Sequence, residues 1–404
     1  MHTERPWGPV LAIAAAASLA LAGCAAATAG PTSPPTPASV ATRSAEPTPP
    51  PIFLGSVPTY RGNAARTGEM PGPGPAGEPH ILWSFQAGGS FATASVVDAG
   101  VVYAVSWDGA VHALALATGT ERWTAKLAAR VDASPLLFEG KLIVADENGT
   151  IHALSEVDGA PGWTFATDGP VSGSPAADGD RIVVATQAGS VYALDAGSGS
   201  VDWKVAAGGP VVKSVAISDG SVYVGVGVVV VAIAVADGAI QWRSTVATDG
   251  VVGTPAVSGG LVFAATGLDG RDPEARAVVA LDIETGKVKW RYVSPTGKQI
   301  YTPAIAQGRA YVVGHDSEIV CLDATTGVVR WSAKEPSEIE ALPVVSAGAL
   351  FVASNGETMA LDASTGKSRW KVFISGVPYG PTVVDGYLLV GTDLGVLYAI
   401  GGTD

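Results

Sequence analysis

From about residue 80 onward, short apolar runs alternate with small turn residues, and the pattern repeats roughly every forty positions. One period shows it well. Within 171–204 the runs are "VSGSPAA", "RIVVATQ", "SVYALDA" and "VDWKVAA". Between them lie Asp178-Gly179-Asp180, Ala188-Gly189 and Gly197-Ser198-Gly199. Runs this short, rich in β-branched residues and split by Gly/Asp turns, predict four antiparallel strands joined as a meander. The turn glycines supply positive φ at low steric cost.

The period is fixed by tryptophan. Trp83, Trp123, Trp163, Trp203, Trp242, Trp290, Trp331 and Trp370 follow one another at steps of 40, 40, 40, 39, 48, 41 and 39. A glycine stands four residues before each of the last seven: Gly119, Gly159, Gly199, Gly238, Gly286, Gly327 and Gly366. One per outer strand, these indoles are expected to dock neighbouring blades. In the third strand one position is held by Ala113, Ala153, Ala193, Ala232, Ala280, Cys321, Ala360 and Ala399. That site admits only a small side chain and is expected to face the next blade.

A four-stranded unit of about forty residues is the arithmetic of a propeller blade. The count has an offset. Eight third strands are present, but the eighth, "VLYAIGG", ends the chain without a tryptophan strand. The first tryptophan strand, "ILWSFQ", precedes any first strand. The predicted fold is therefore all-β, an eight-bladed β-propeller of four-stranded antiparallel blades, with the ring closed by an N-terminal strand. Closure removes the open sheet edges.

Composition narrows the function classes. The formal net charge is −13 and no Lys/Arg run is present, which excludes a general nucleic-acid binder. The only cysteines are Cys24 and Cys321, so no intrachain disulfide framework or CxxC site exists. Residues 1–23 read as a signal segment, with an apolar stretch from Val10 to Ala22. "LAGC" (Leu21–Cys24) resembles the bacterial lipobox, which implies cleavage before Cys24 and a diacylglycerol on its sulfur. Residues 24–52 are rich in Pro, Thr, Ser and Ala and read as a lipidated cysteine followed by a disordered tether. The propeller is expected over 53–404.

"LDIETGKVKW", "LDATTGVVRW", "LDASTGKSRW" and "VYALDAGSGSVDW" resemble the tryptophan-docking motif of the pyrroloquinoline-quinone-like (PQQ-like) propeller repeat family. The lead-in "YRGNAARTGEMPGPGP" (Tyr60–Pro75) is similar to the segment before such propellers in bacterial surface proteins. The resemblance covers about Tyr60 to Ile400. The family includes quinoprotein alcohol dehydrogenases, BamB-like lipoproteins of the outer-membrane assembly machine, and sensor domains. The enzymes are expected to stack PQQ over a vicinal disulfide, with calcium held by carboxylates and an asparagine. This chain has no adjacent cysteines.

Candidate contact residues lie at the axial mouth. Aligned on the recurring "SP/TP" pair, first strands begin there, and Asp132, Lys213, Tyr301, Glu340 and Tyr379 fall in that ring. They are expected to converge with the acidic insertion "GLDGRDPEA", which supplies Asp269 and Asp272. Trp107, in the hairpin "SWDGA", is expected as an exposed contact. The hairpin "GVGVVVV" (Gly225–Val231) presents a bare apolar tip. Cys321 is expected to be buried and inert, and His112 and His152 to be structural.

No catalytic residue, metal or cofactor is assigned. The sequence reading is a monomeric, membrane-anchored lipoprotein outside the cytoplasm, on a cell or outer membrane. It would bind envelope proteins or peptides as a non-catalytic scaffold. Two alternatives stay open: a PQQ-dependent dehydrogenase, and a carbohydrate-binding or sensor propeller.

Overall fold

A computed structural model describes residues 55–339 and 341–402. Cys24, the signal segment and the whole tether lie outside the described residues, as does Glu340. Eight separate four-stranded antiparallel sheets form the blades. Blade 1 runs outward through Val96–Asp98, Val101–Val105, Ala110–Ala115 and Glu121–Lys126. Blades 2 to 7 repeat that order over 136–166, 176–206, 216–245, 256–293, 304–334 and 344–373. Among the described residues the only helical pieces are the short 3-10 turns Tyr60–Gly62 and Pro273–Ala275.

The closing blade is built as predicted. Pro378–Val384, Tyr387–Thr392 and Val396–Gly401 supply its inner three strands, and His80–Gln86 its outermost. Trp83 pairs with Ala399 and Ser84 with Tyr398.

The small third-strand residue has a specific cause. In blade 1, Tyr103, Ala113 and Trp123 form one cross-strand row. Strands two apart are separated by about 9.6 Å, yet the Tyr103 and Trp123 ring centroids lie 5.9 Å apart. The rings lean together over the alanine methyl. The same aromatic–small–tryptophan row recurs in blades 4, 5, 6 and 7, with centroids 5.9–6.1 Å apart. Cys321 fills the small position in blade 6. It is fully buried, and burial pushes its thiol up to about 11, as fits an inert cysteine.

The indoles dock onto the following blade. Seven of them donate Nε1–H to a main-chain carbonyl there, at 2.7–3.2 Å: Trp83 to Leu116, Trp123 to Glu156, and so on to Trp331 with Ala363. The periodic glycine lies flat on the ring of the preceding blade. A Cβ on any of the seven would fall 2.4–2.8 Å from an indole atom. The Gly-to-Trp spacing therefore encodes two contacts, one backward and one forward.

The lead-in segment runs across one end of the central channel and touches every blade. Main-chain hydrogen bonds join Val57 to Val97, Pro58 to Leu137, Ala64 to Ile217, Ala65 to Val257, Thr67 to Ile305, Gly68 to Val345 and Pro73 to Gly386. Blade 3 is reached by the Arg66 side chain, which donates to the carbonyls of Ser174 and Pro175. This strap closes the channel where the first strands end.

The apolar hairpin tip is not bare. The chain leading into blade 5 covers it, with Val246 N–H donating to Val228 O and Val252 N–H to Gly227 O.

Candidate functional site

The first strands begin around the other end of the channel and enclose a cavity of ≈ 370 Å³. Asp132, Lys213, Tyr301 and Tyr379 all line it, as the alignment on the proline pair predicts. Tyr60 and Arg61 of the strap line it as well.

The recurring Ser/Thr-Pro pair does more than mark register. Whether or not proline follows, the residue at this position turns its amide N–H toward the next blade. Ala94 N–H donates to Ser134 Oγ (2.9 Å), and Ser134 N–H to Ser174 Oγ (3.0 Å). Ser174 N–H then donates to Ser214 Oγ (2.9 Å), and Ser214 N–H to Thr254 Oγ1 (3.2 Å). The result is an arc of hydroxyls linking blades 1 to 5. Thr302 Oγ1 extends it by donating to Thr254 O at 2.8 Å. Leu342 and Gly380 stand at the equivalent positions of blades 7 and 8, so the arc is open there.

Arg61 and Arg66, 2% and 0% exposed, are held with no carboxylate partner among the described residues. Arg66 donates to the carbonyls of Val215, Tyr60, Ser174 and Pro175 and to Thr59 Oγ1. Arg61 donates Nε–H to Arg66 O (2.9 Å) and Nη2–H to Pro303 O (2.6 Å), and its Nη1 has no protein partner. Burial lowers Arg61 to about 10 and Arg66 to about 9, so both stay protonated at neutral pH. Gly68 is required here, because a Cβ would fall 2.8 Å from Arg61 Nη2 and the residue has φ +74.

Three site expectations change. Trp107 is not an open platform. The Arg130 guanidinium sits 3.6 Å from its ring centroid, covering one face. Arg130 Nε also donates to Asp132 Oδ1 (2.7 Å), so Asp132 belongs to a Trp107–Arg130–Asp132 stack instead of standing free. Glu147 joins this group, 3.5 Å from Arg130 Nε, and the neighbouring Asp132 pushes its carboxyl up.

The acidic insertion does not turn its carboxylates into the channel. Asp272 caps the short turn at Pro273–Ala275 through Glu274 N–H and accepts from Thr248 Oγ1. Asp269 is exposed at φ 59 and does not line the cavity. Leu268 does, because residues 251 and 268 pair as a bridge.

His112 and His152 are each held by a carboxylate: His112 Nδ1 lies 2.7 Å from Glu121 Oε1, and His152 Nε2 lies 2.9 Å from Asp146 Oδ2. His315, for which the sequence suggests no partner, pairs with Glu338 at 3.7 Å.

A family profile described as outer membrane protein assembly factor BamB matches residues 77–170 and 147–372. The chain belongs to this PQQ-like BamB family. No curated protein sequence matches it. Among solved structures, BamB from Moraxella catarrhalis is 18% identical, with TM-score 0.66, covering 80% of this chain and 99% of that one. Quinohemoprotein alcohol dehydrogenase from Comamonas testosteroni is 14% identical, with TM-score 0.67 and coverage of 86% and 81%. A europium-containing methanol dehydrogenase is 15% identical, with TM-score 0.69 and coverage of 86% and 98%. At these identities the likeness is one of fold.

The residues present do not fit the quinone site that the enzyme resemblance implies. The described cavity lining holds no asparagine and one carboxylate, Asp132, already engaged by Arg130. Cys321 is buried in the middle row of blade 6.

Proposed function

We propose that this protein is a non-catalytic binding propeller of the bacterial envelope, lipid-anchored at Cys24, whose open channel mouth docks a protein or peptide partner. It acts as a single closed ring. The family supports an envelope role, since its description is that of an outer membrane protein assembly factor.

The polarity of the ring carries the reading. One end of the channel is sealed by the strap, and the described chain begins on that side, where Gly55 N–H donates to Asp385 Oδ2 at 3.0 Å. The mouth, with Lys213, Tyr301 and Tyr379, is the open end. Tyrosines and a half-buried lysine beside a concave opening are suited to contact, because aromatic rings give large area at low entropic cost.

A photocrosslinking residue placed at Tyr379, and in a second variant at Asp178 in an opposite-face turn, tests this in the native envelope. Discrete adducts are expected at Tyr379 and not at Asp178. Adducts at Asp178 alone would move the docking face to the sealed side.

A further inference from the structure

We propose that the axial cavity is a receptor for a carboxylate, borne by a small hydroxylated organic acid. This stands whether or not the rim docks a protein.

The donor inventory of the lining carries the inference. Ser134, Ser174, Ser214 and Thr254 each accept an amide N–H from the preceding blade. That uses a lone pair on each oxygen. None of the four donates its own O–H to a protein acceptor among the described residues. A hydroxyl rotates freely about its C–O bond, so four protons are available to one ligand from one side.

At the sealed end, Arg61 presents a fully buried guanidinium whose Nη1 lacks a protein partner. At the mouth end, Lys213 forms no ion pair among the described residues, and it too lines the cavity. The one described carboxylate of the lining, Asp132, is engaged by Arg130, which Glu147 also approaches at 3.5 Å.

A site with several unpaired donors, and with its one described carboxylate already engaged, favours an oxyanion and disfavours a cation. Buried donors left unpaired cost free energy, and those paired with an anion form the stronger class of hydrogen bond. The protein as a whole carries −13, so the cationic shaft is a local reversal of sign rather than part of a basic surface. The volume of ≈ 370 Å³ suits a molecule of monosaccharide size, and Tyr60, Gln299, Tyr301 and Tyr379 would meet its body.

The test is calorimetric titration of the mature protein with glucuronate, with glucose as the uncharged counterpart. A terminally blocked peptide bearing one glutamate supplies the same carboxylate from a partner protein. Saturable one-site binding of glucuronate is expected, with glucose weaker by about tenfold or more, the value of one charge-assisted hydrogen bond. Lys213→Gln should weaken glucuronate by a similar factor. Arg61→Lys, which keeps the charge and shifts the donors, should weaken it less than Arg61→Gln does.

Binding of the peptide but not of glucuronate would keep the carboxylate site and assign its ligand to a docking partner. Equal affinity for glucose and glucuronate, no effect of Lys213→Gln, or no saturation by either acid would overturn the proposal.

Discussion

Replacing Arg66 with methionine should lower the melting temperature by about 4–7 °C, although Arg66 belongs to no blade. The side chain is fully buried and donates five hydrogen bonds, four of them to main-chain carbonyls on the strap and on blades 3 and 4. Methionine fills much of the same volume but satisfies none of these acceptors. The loss is not five times the worth of a charged hydrogen bond, because burying the guanidinium itself costs several kcal/mol. Each buried acceptor left without a donor costs about 1–3 kcal/mol, and relief of the guanidinium's burial offsets part of that, leaving a net loss of about 3–5 kcal/mol. Unfolding entropy near 60 °C is about 2.1 cal/mol/K per residue, or roughly 0.7 kcal/mol/K for a ring of roughly 350 residues. The two figures give the expected shift.

Arg61→Met is the internal comparison. Arg61 makes only two protein hydrogen bonds and leaves Nη1 unpartnered, so its shift should be no more than about half as large. Differential scanning calorimetry of the mature domain measures both, with circular dichroism confirming the β-fold. A shift below 1 °C for Arg66→Met, or a larger shift for Arg61→Met, would show that the strap fills the channel without holding the ring.

Gly199→Ala should cost about 2–4 kcal/mol by denaturant titration, since the new Cβ would fall 2.4 Å from Trp163 Cε3, an indole already pinned by its bond to Ala196 O. Gly220→Ala, at nearly the same φ but with nothing within 4 Å, should cost only about 1 kcal/mol; equal losses would argue against blade docking. A chain starting at Ala87 lacks both the strap and the outer strand of the closing blade, and should self-associate by light scattering; a monomer melting like the full ring would contradict the closure. Acid should destabilise the fold between about pH 4 and 2. Asp282 is lowered to about 2 by Thr285 and Lys289, and Asp323 to about 2 by Arg330 and Thr326, so their contributions are complete above the unfolded carboxylate range and fade as pH falls through the folded values. Asp323→Asn should shrink that acid-dependent loss, and a variant with the wild-type pH profile would show the carboxylate to be incidental.

What was legible in the sequence is what repeats. Eight copies of the tryptophan and of the small third-strand residue are enough to fix blade count, register and the pairing of the Trp83 strand with the Tyr398 strand. The SP/TP pair was visible too, but only as a ruler. Its hydroxyl arc is a contact between copies, and no single copy displays it. Arg61 and Arg66 were harder, because they sit once in a polar lead-in and their burial depends on all eight blades meeting around them. A lone arginine beside Gly and Asn reads as solvated loop until the ring closes. Trp107 misled for the opposite reason. An indole in a hairpin reads as exposed, and only the packing reveals that Arg130, more than twenty residues away, lies over it.

The same distinction says where function resides. A perfect eightfold ring would have a symmetric channel, with no reason to bind one ligand in one orientation. This channel is asymmetric at three levels. Its hydroxyl arc ends at Leu342 and Gly380, Lys213, which forms no ion pair among the described residues, stands on blade 4, and its strap enters beside Asp385 and places Arg61 against Pro303 of the blade 6 lead-in. Each departure breaks the repeat at a position lining the cavity or its sealed end. The outer docking contacts, where they form, are closely alike: seven indole bonds span only 2.7–3.2 Å. Three departures from the repeat that meet at one cavity are what a scaffold shows when its centre has been shaped for a particular guest.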